Sequence, residues 1–274
     1  MAAGVFAAVA VLTRPEGVLI LPALVVAAVA LGARFALLRA TLGAVLSAAV
    51  LFVPFGLSAA LPSMSIVLRG LYTRSDMLSA NAANIWWIVS WGLRVRAMGP
   101  LTHPLPALRV LALPAPVPSL PTPRRFSVLR FLDVRHAAAA GVVLWWARVC
   151  WQAWGTVRLA VHAVVAALTV HIFFVLMVGL HEPQQILEVP LLALAAALEP
   201  SVRPVFYTVT VMVALNLNLF NGISRGWGWA VPRSITFIDA SVILAAANVI
   251  TLFWLSGLLA DLVAESRRTY SSRL

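Results

Sequence analysis

Lysine is missing from this 274-residue sequence: all 20 of its basic residues are arginine. That absence says more about genome composition than about mechanism. Acids are also scarce, at nine, and charged residues of both signs make up only 11% of the chain against 62% hydrophobic. A soluble globular domain carries about 25% charged and about 45–50% apolar residues, so water is not the main solvent of this chain. Its mean hydropathy of +0.97 agrees. One cysteine, Cys150, excludes an internal disulfide and any multi-cysteine metal site, and in its apolar stretch a buried, inert thiol is the default expectation. Cysteine usage therefore says nothing of the redox compartment. No glycine-rich phosphate loop and no serine-histidine-aspartate signature occurs, which leaves soluble-enzyme chemistry without a foothold. The net charge of +11 would fit a nucleic-acid partner in a soluble protein. Here most arginines lie between apolar blocks, where they orient helices and meet lipid phosphates, so membrane lipids and not nucleic acid are the expected partners.

What is present is a series of long apolar blocks. Met1 leads straight into AAGVFAAVAVL without a basic leader, so a cleaved signal peptide is not expected. Residues 1–12 are too few for a crossing, which needs roughly 20, and the chain reads as a C-terminal part that lacks upstream helices. Further blocks follow at 17–31, 40–61, 137–155, 159–180, 186–198, 205–220 and 237–259. The fold class predicted is all-α: a polytopic transmembrane helical bundle of about eight crossings, with a re-entrant or interfacial helix at 81–93 anchored by Trp86, Trp87 and Trp91. Residues 1–93 form the N-terminal helices and 137–260 the C-terminal ones, with a polar tail at 261–274. Between them, 94–136 holds eight of the 17 prolines and seven arginines, which excludes a continuous helix and favours an extended excursion at the membrane surface.

If 85–93 does not cross, the connectors carrying Arg34 and Arg39, Arg158 and Arg203, together with the tail arginines, share one side. The positive-inside rule makes that side cytoplasmic, as in a bacterial inner membrane or its equivalent. TRPEG (13–17), SANAAN (79–84) and HEPQQ (181–185) then share the extracytoplasmic face.

Polar groups near membrane depth are site candidates by default. In LTRPEGVLILP, Pro15 can open a helix and Glu16 can face its positive end, a capping role; Arg14 can equally offer a planar cation to a lipid-linked phosphate. In SANAANIWW, asparagine before an apolar helix is an N-cap and tryptophan an interfacial belt. Yet Asn81, Asn84 and Trp86 also describe a sugar site, since amides bond hydroxyls and an indole face packs on a pyranose. His181 and Glu182 end a full crossing before Pro183 and read as capping groups first and as acid/base groups second. His162 and His171, inside that crossing, read as satisfied by neighbouring helices. Asp76, Glu188 and Asp239 are the other acids that could approach the same face.

At three places the sequence resembles multi-pass membrane glycosyltransferases of the GT-C class, the group of polyprenyl- and dolichyl-phosphate-mannose mannosyltransferases. LTRPEGVLILP is similar to their basic-Pro-Gln/Glu step before an apolar run ending in Leu-Pro, and SANAANIWW to their Asn-Ala-x-Asn-hydrophobic-Trp element. FFVLMVGLHEPQQILEVP is similar to their apolar helix running into Met-His-Glu-Arg-Tyr and a later Leu-Pro: His181 and Glu182 match, and Pro183 and Gln184 stand in place of Arg and Tyr. The resemblance implies transfer of a sugar from a lipid-linked donor, a polyprenyl-phosphate sugar, to an extracytoplasmic acceptor. Arg14 would assist the departing phosphate, Asn81, Asn84 and Trp86 would shape the sugar pocket, and Glu16, His181 and Glu182 would complete the substrate-binding set. No catalytic base is assigned, because in that class it lies in an earlier loop. No cofactor is called for beyond a divalent cation that could stabilise the phosphate, and nothing fixes the oligomeric state. The competing readings are a transporter or flippase-like carrier, whose kinked helices would line a substrate path, and an inactive remnant or assembly subunit.

Overall fold

The computed structural model describes residues 15–30, 32, 35–52, 77–98, 110–117, 134–221, 234–235 and 238–271. Among these the chain is helical. A 3-10 turn, Pro15–Ile20, leads into α1 (Leu21–Ala30), followed by α2 (Ala36–Phe52), α3 (Ile85–Ala97), α4 (Val134–Ala153) and α5 (Leu159–Leu176). A second 3-10 turn, Glu182–Gln185, precedes α6 (Glu188–Leu198), and a third, Pro200–Val202, precedes α7 (Arg203–Asn221). A two-residue antiparallel pair, β1 (Ser234–Ile235) with β2 (Ile238–Asp239), introduces α8 (Ala240–Ser271).

The centre is α5, LAVHAVVAALTVHIFFVL, apolar apart from His162, Thr169 and His171 and buried on nearly every face. A helix with no polar side belongs inside a bundle, and α5 packs against α1, α4, α6 and α8. Two glycines set its ends. Gly155 (φ +76°) makes the turn from α4, and Gly179 (φ +73°) turns the chain away after Met177. Pro183 and Pro200 then open the short turns on either side of α6.

Three helical stretches, Leu159–Leu176, Pro200–Phe220 and Ala240–Thr269, are long and apolar enough to cross a membrane. Gly17–Ala30 and Leu38–Val50 are apolar but shorter. Outward-facing side chains support the same reading: Tyr207, Val211 and Leu215 form a stripe at helical spacing on α7, and Ile243, Ile250, Phe253 and Trp254 are exposed on α8.

The expected block at 186–198 is realised as α6, whose 11 residues rise only about 16 Å, short of the roughly 30 Å hydrocarbon core. It lies against α5 and α7 instead of crossing alone. The block at 137–155 is realised as α4, where Arg135, Arg148 and Gln152 dilute the apolar run. The block expected at 1–12 lies outside the described residues, as do 53–61 of the one at 40–61. The 81–93 element is a 13-residue helix, α3, and the last helix runs on without a break through Glu265 to Ser271.

Candidate functional site

The SANAAN segment is extended and lies against the end of α5. Leu78 N–H donates to Ala115 O (2.7 Å), Gly179 N–H to Leu78 O (3.0 Å) and Ala80 N–H to Leu180 O (3.0 Å). SANAAN and the residue before it are therefore joined backbone to backbone to Gly179 and Leu180, which lead directly into HEPQQ. The third sequence element is represented by Leu19, whose carbonyl accepts from Thr169 Oγ1 (2.8 Å), two residues before His171 on α5. Arg14 lies outside the described residues; of Glu16 the backbone alone is placed, in the turn Pro15–Ile20.

Within SANAAN the roles divide. Asn81 is exposed, with a left-handed backbone (φ +68°) that asparagine tolerates better than most residues. Asn84 is fully buried and is the N-cap of α3: its Oδ1 accepts from Trp87 N–H (3.2 Å), while its Nδ2 donates to Met177 O (3.3 Å). Trp86 Nε1 donates to Leu176 O (2.6 Å), Trp87 Nε1 to Ser241 Oγ (2.8 Å) and Trp91 Nε1 to Val110 O (3.0 Å). These indoles fasten α3 inward. Trp87 is wholly buried, edge-on to Phe220 with ring centroids 5.0 Å apart. Asp239 draws residues 110–117 in from the far side, accepting from Ala112 N–H (2.7 Å) and Ser241 N–H (3.0 Å).

Beneath this layer lies a polar network that links four helices, the 3-10 turn Glu182–Gln185 and the SANAAN segment. Asn216 of α7 accepts from Ala83 N–H at Oδ1 (3.1 Å) and donates from Nδ2 to Glu182 O (3.3 Å). Asn248 of α8 donates to Ala83 O (2.8 Å) and accepts from Gln185 Nε2 (2.8 Å). Gln185 Nε2 also reaches Glu188 Oε2 (3.3 Å). His171 completes the set, with Nδ1 2.8 Å from Glu188 Oε2 and Nε2 2.9 Å from Asn248 O. A hydrogen-bonded circuit thus runs Gln185, Asn248, Ala83, Asn216, Glu182 and back along the 3-10 turn. His171, Gln185, Glu188, Asn216 and Asn248 are all 0% exposed.

Of the predicted residues, His181 is half-buried, with its N–H donated to Gln184 Oε1 (2.8 Å), and Glu182 is buried. Asn81 and His181 each directly follow the Ala80–Leu180 hydrogen bond, so a hydrogen-bonding amide and an imidazole flank one seam. Sequence reasoning expects His162 and His171 to be satisfied by neighbouring helices. His171 is, whereas His162 finds no partner on a neighbouring helix and has only the Thr156 backbone, in the turn before α5, beside its ring. Gln185, Asn216 and Asn248 are not among the predicted residues; for Asn216 and Asn248 a polar side chain inside an apolar run is the signal that finds them, whereas Gln185 lies in the polar HEPQQ stretch. Among the described residues no three His, Cys, Asp or Glu side chains gather as a metal-holding group.

At the opposite end of α5, Arg158 donates to Glu199 at the end of α6 and to Glu265 Oε2 of α8 (2.7 Å). The Glu265 hydrogen bond holds this guanidinium above its ordinary range, against the opposing effect of partial burial. Three of the connectors predicted to share one side, those beside Arg158 and Arg203 and the start of the tail, thus meet around one cation, while Arg34 lies outside the described residues. An open cleft of about 880 Å³ lies here, lined by Trp154, Arg158, Glu265 and Arg267, and therefore away from the joined motif segments.

Compared with known proteins, the chain matches no family model, no curated protein and no solved structure. Fold and site together define a helical protein with three membrane-length helices and a buried polar circuit beneath two joined motifs.

Proposed function

We propose that this chain is an integral membrane glycosyltransferase that moves a sugar from a polyprenyl-phosphate donor to an acceptor hydroxyl on the extracytoplasmic side. The observation that carries the reading is the hydrogen bond from Ala80 N–H to Leu180 O, which joins the two motif segments at one end of the bundle. The contact from Thr169 to Leu19 supports it by bringing the turn that follows Arg14 to the same half of α5.

In the transfer, the acceptor oxygen bonds to the sugar's anomeric carbon as the bond from that carbon to the phosphate oxygen breaks. The acceptor's proton passes to a carboxylate, and the lipid phosphate leaves with the electron pair. Arg14 offers a cation to that phosphate. Asn81 and His181 are the accessible hydrogen-bonding groups for sugar hydroxyls, whereas Asn84 and Trp86 act from behind by holding the wall. A divalent cation, where the reaction needs one, would assist the phosphate.

The test uses the full chain in proteoliposomes with radiolabelled polyprenyl-phosphate mannose. Saturable donor binding, weakened about tenfold by His181→Ala through loss of one hydrogen bond, is expected. Donor retention no greater than in protein-free liposomes overturns the reading.

A further inference from the structure

We propose that Glu182, Gln185 and Glu188 hold one monovalent hard cation, of the sodium class, in the interior of the bundle. Glu182 Oε2, Gln185 Oε1 and Glu188 Oε1 are buried oxygens without a hydrogen-bond partner. Their residues are 5%, 0% and 0% exposed. Buried polar atoms are nearly always satisfied, so three orphaned acceptors in one short stretch ask for a donor or an ion. They recur every third residue. In a 3-10 turn, with three residues per turn, Glu182 and Gln185 stack on one side, and Glu188 follows in the first turn of α6.

The identity of the missing partner follows from hydrogen bonding and charge. His171 Nε2 faces the carbonyl of Asn248, which can only accept, so that nitrogen carries a hydrogen. One further proton lies between His171 Nδ1 and Glu188 Oε2, and the pair is neutral overall whichever atom holds it. The amide orientation of Gln185 is fixed in the same way: Nε2 sits between two acceptors, Asn248 Oδ1 and Glu188 Oε2, which turns Oε1 away from both. Among the described residues no basic side chain pairs with Glu182, so its carboxylate form would add one negative charge to the site. A single positive charge closes the balance, and a divalent ion would overshoot it.

Oxygen donors from carboxylates and an amide select a hard cation. A zinc-like ion is disfavoured because His171, the imidazole bonded to this stretch, is committed at both nitrogens. Water answers less of the problem, since one molecule has two donors for three oxygens and brings no charge. Bound there, the ion would lock the HEPQQ turn to α5 and α8 through Gln185 and Glu188. The inference does not depend on sugar transfer, so the donor-binding assay and the ion assay can fail separately.

The experiment measures ²²Na⁺ binding to the purified full chain in nanodiscs, with choline chloride holding ionic strength constant. Saturable binding of one ion per chain is expected, together with a melting temperature that rises with sodium and not with choline. Glu188→Gln, isosteric and neutral, should weaken sodium binding at least about tenfold, as should Glu182→Gln. Should either variant fail to fold, the wild-type measurement decides alone. Absence of saturable sodium binding, an equal response to choline, or folded variants that bind like the wild type would each overturn the proposal. So would a melting temperature that follows pH but ignores sodium, because a proton would then supply the charge.

Discussion

His171 Nδ1 lies 2.8 Å from Glu188 Oε2, and both side chains are completely shut off from solvent. The pair ties the core helix to the start of α6 across 17 residues of sequence. Breaking such a pair from one side strands the other partner in a low-dielectric interior. His171→Leu alone and Glu188→Leu alone should each lower unfolding free energy by about 3–5 kcal/mol, and the double variant by clearly less than the sum. Thermal unfolding in detergent, run as a double-mutant cycle, measures this; strictly additive losses would show that the contact contributes nothing.

Asn84 performs two jobs with one side chain, capping α3 and anchoring Met177 O. Asn84→Ala should therefore cost more than a simple cap, about 2–3 kcal/mol. Asn84→Asp keeps the cap acceptor but sets a second acceptor against Met177 O, so it should rescue only part of the loss. Full recovery by aspartate in a melting experiment would remove the anchor from the account.

Arg158 binds two carboxylates of unequal exposure, Glu199 at 13% and Glu265 at 58%. Glu265→Gln should cost less than about 1 kcal/mol, with the difference vanishing in high salt. Glu199→Gln should cost more and be less sensitive to salt, because Glu199 is better shielded and also accepts from Ser201 Oγ (3.1 Å). Unfolding at low and high sodium chloride separates the two.

The 18 residues of α5 rise about 27 Å between the Arg158 end and the motif end. In a Cys150→Ser background, a cysteine at Asn81 and one at Ser266 should react with a membrane-impermeant maleimide from opposite faces of sealed vesicles. Labelling of both from the same face would rule out a transmembrane α5.

The helices were legible because burial in a bilayer writes itself as length and hydropathy. Blocks predicted at 159–180 and 205–220 stand within a few residues of Leu159–Leu176 and Arg203–Asn221. Asn84 was legible as a cap, since an asparagine before an apolar run satisfies the free N–H groups of the first turn. The topology expects SANAAN and HEPQQ on one face but does not predict that they join, because backbone pairing between residues a hundred positions apart leaves no periodic trace. The circuit of Asn216, Asn248 and Gln185 is hidden for a related reason: Asn216 and Asn248 are amides in apolar helices, Gln185 closes a polar 3-10 turn, and the worth of each depends on which element faces it. The inward bonding of Trp86 and Trp91 was equally unreadable, since an interfacial belt and a buried donor share the same composition.

Ala83 offers its amide hydrogen to one asparagine and its carbonyl to another, on two different helices. Because those contacts use main-chain atoms, they measure chain length and not side-chain identity. Shortening the stretch from Ser79 to Ala83 by one residue would slide a neighbouring peptide, with its polar groups pointing elsewhere, between the two amides. The segment is in effect a spacer cut to size, tolerant of many side-chain changes outside the clamp and intolerant of a single-codon deletion.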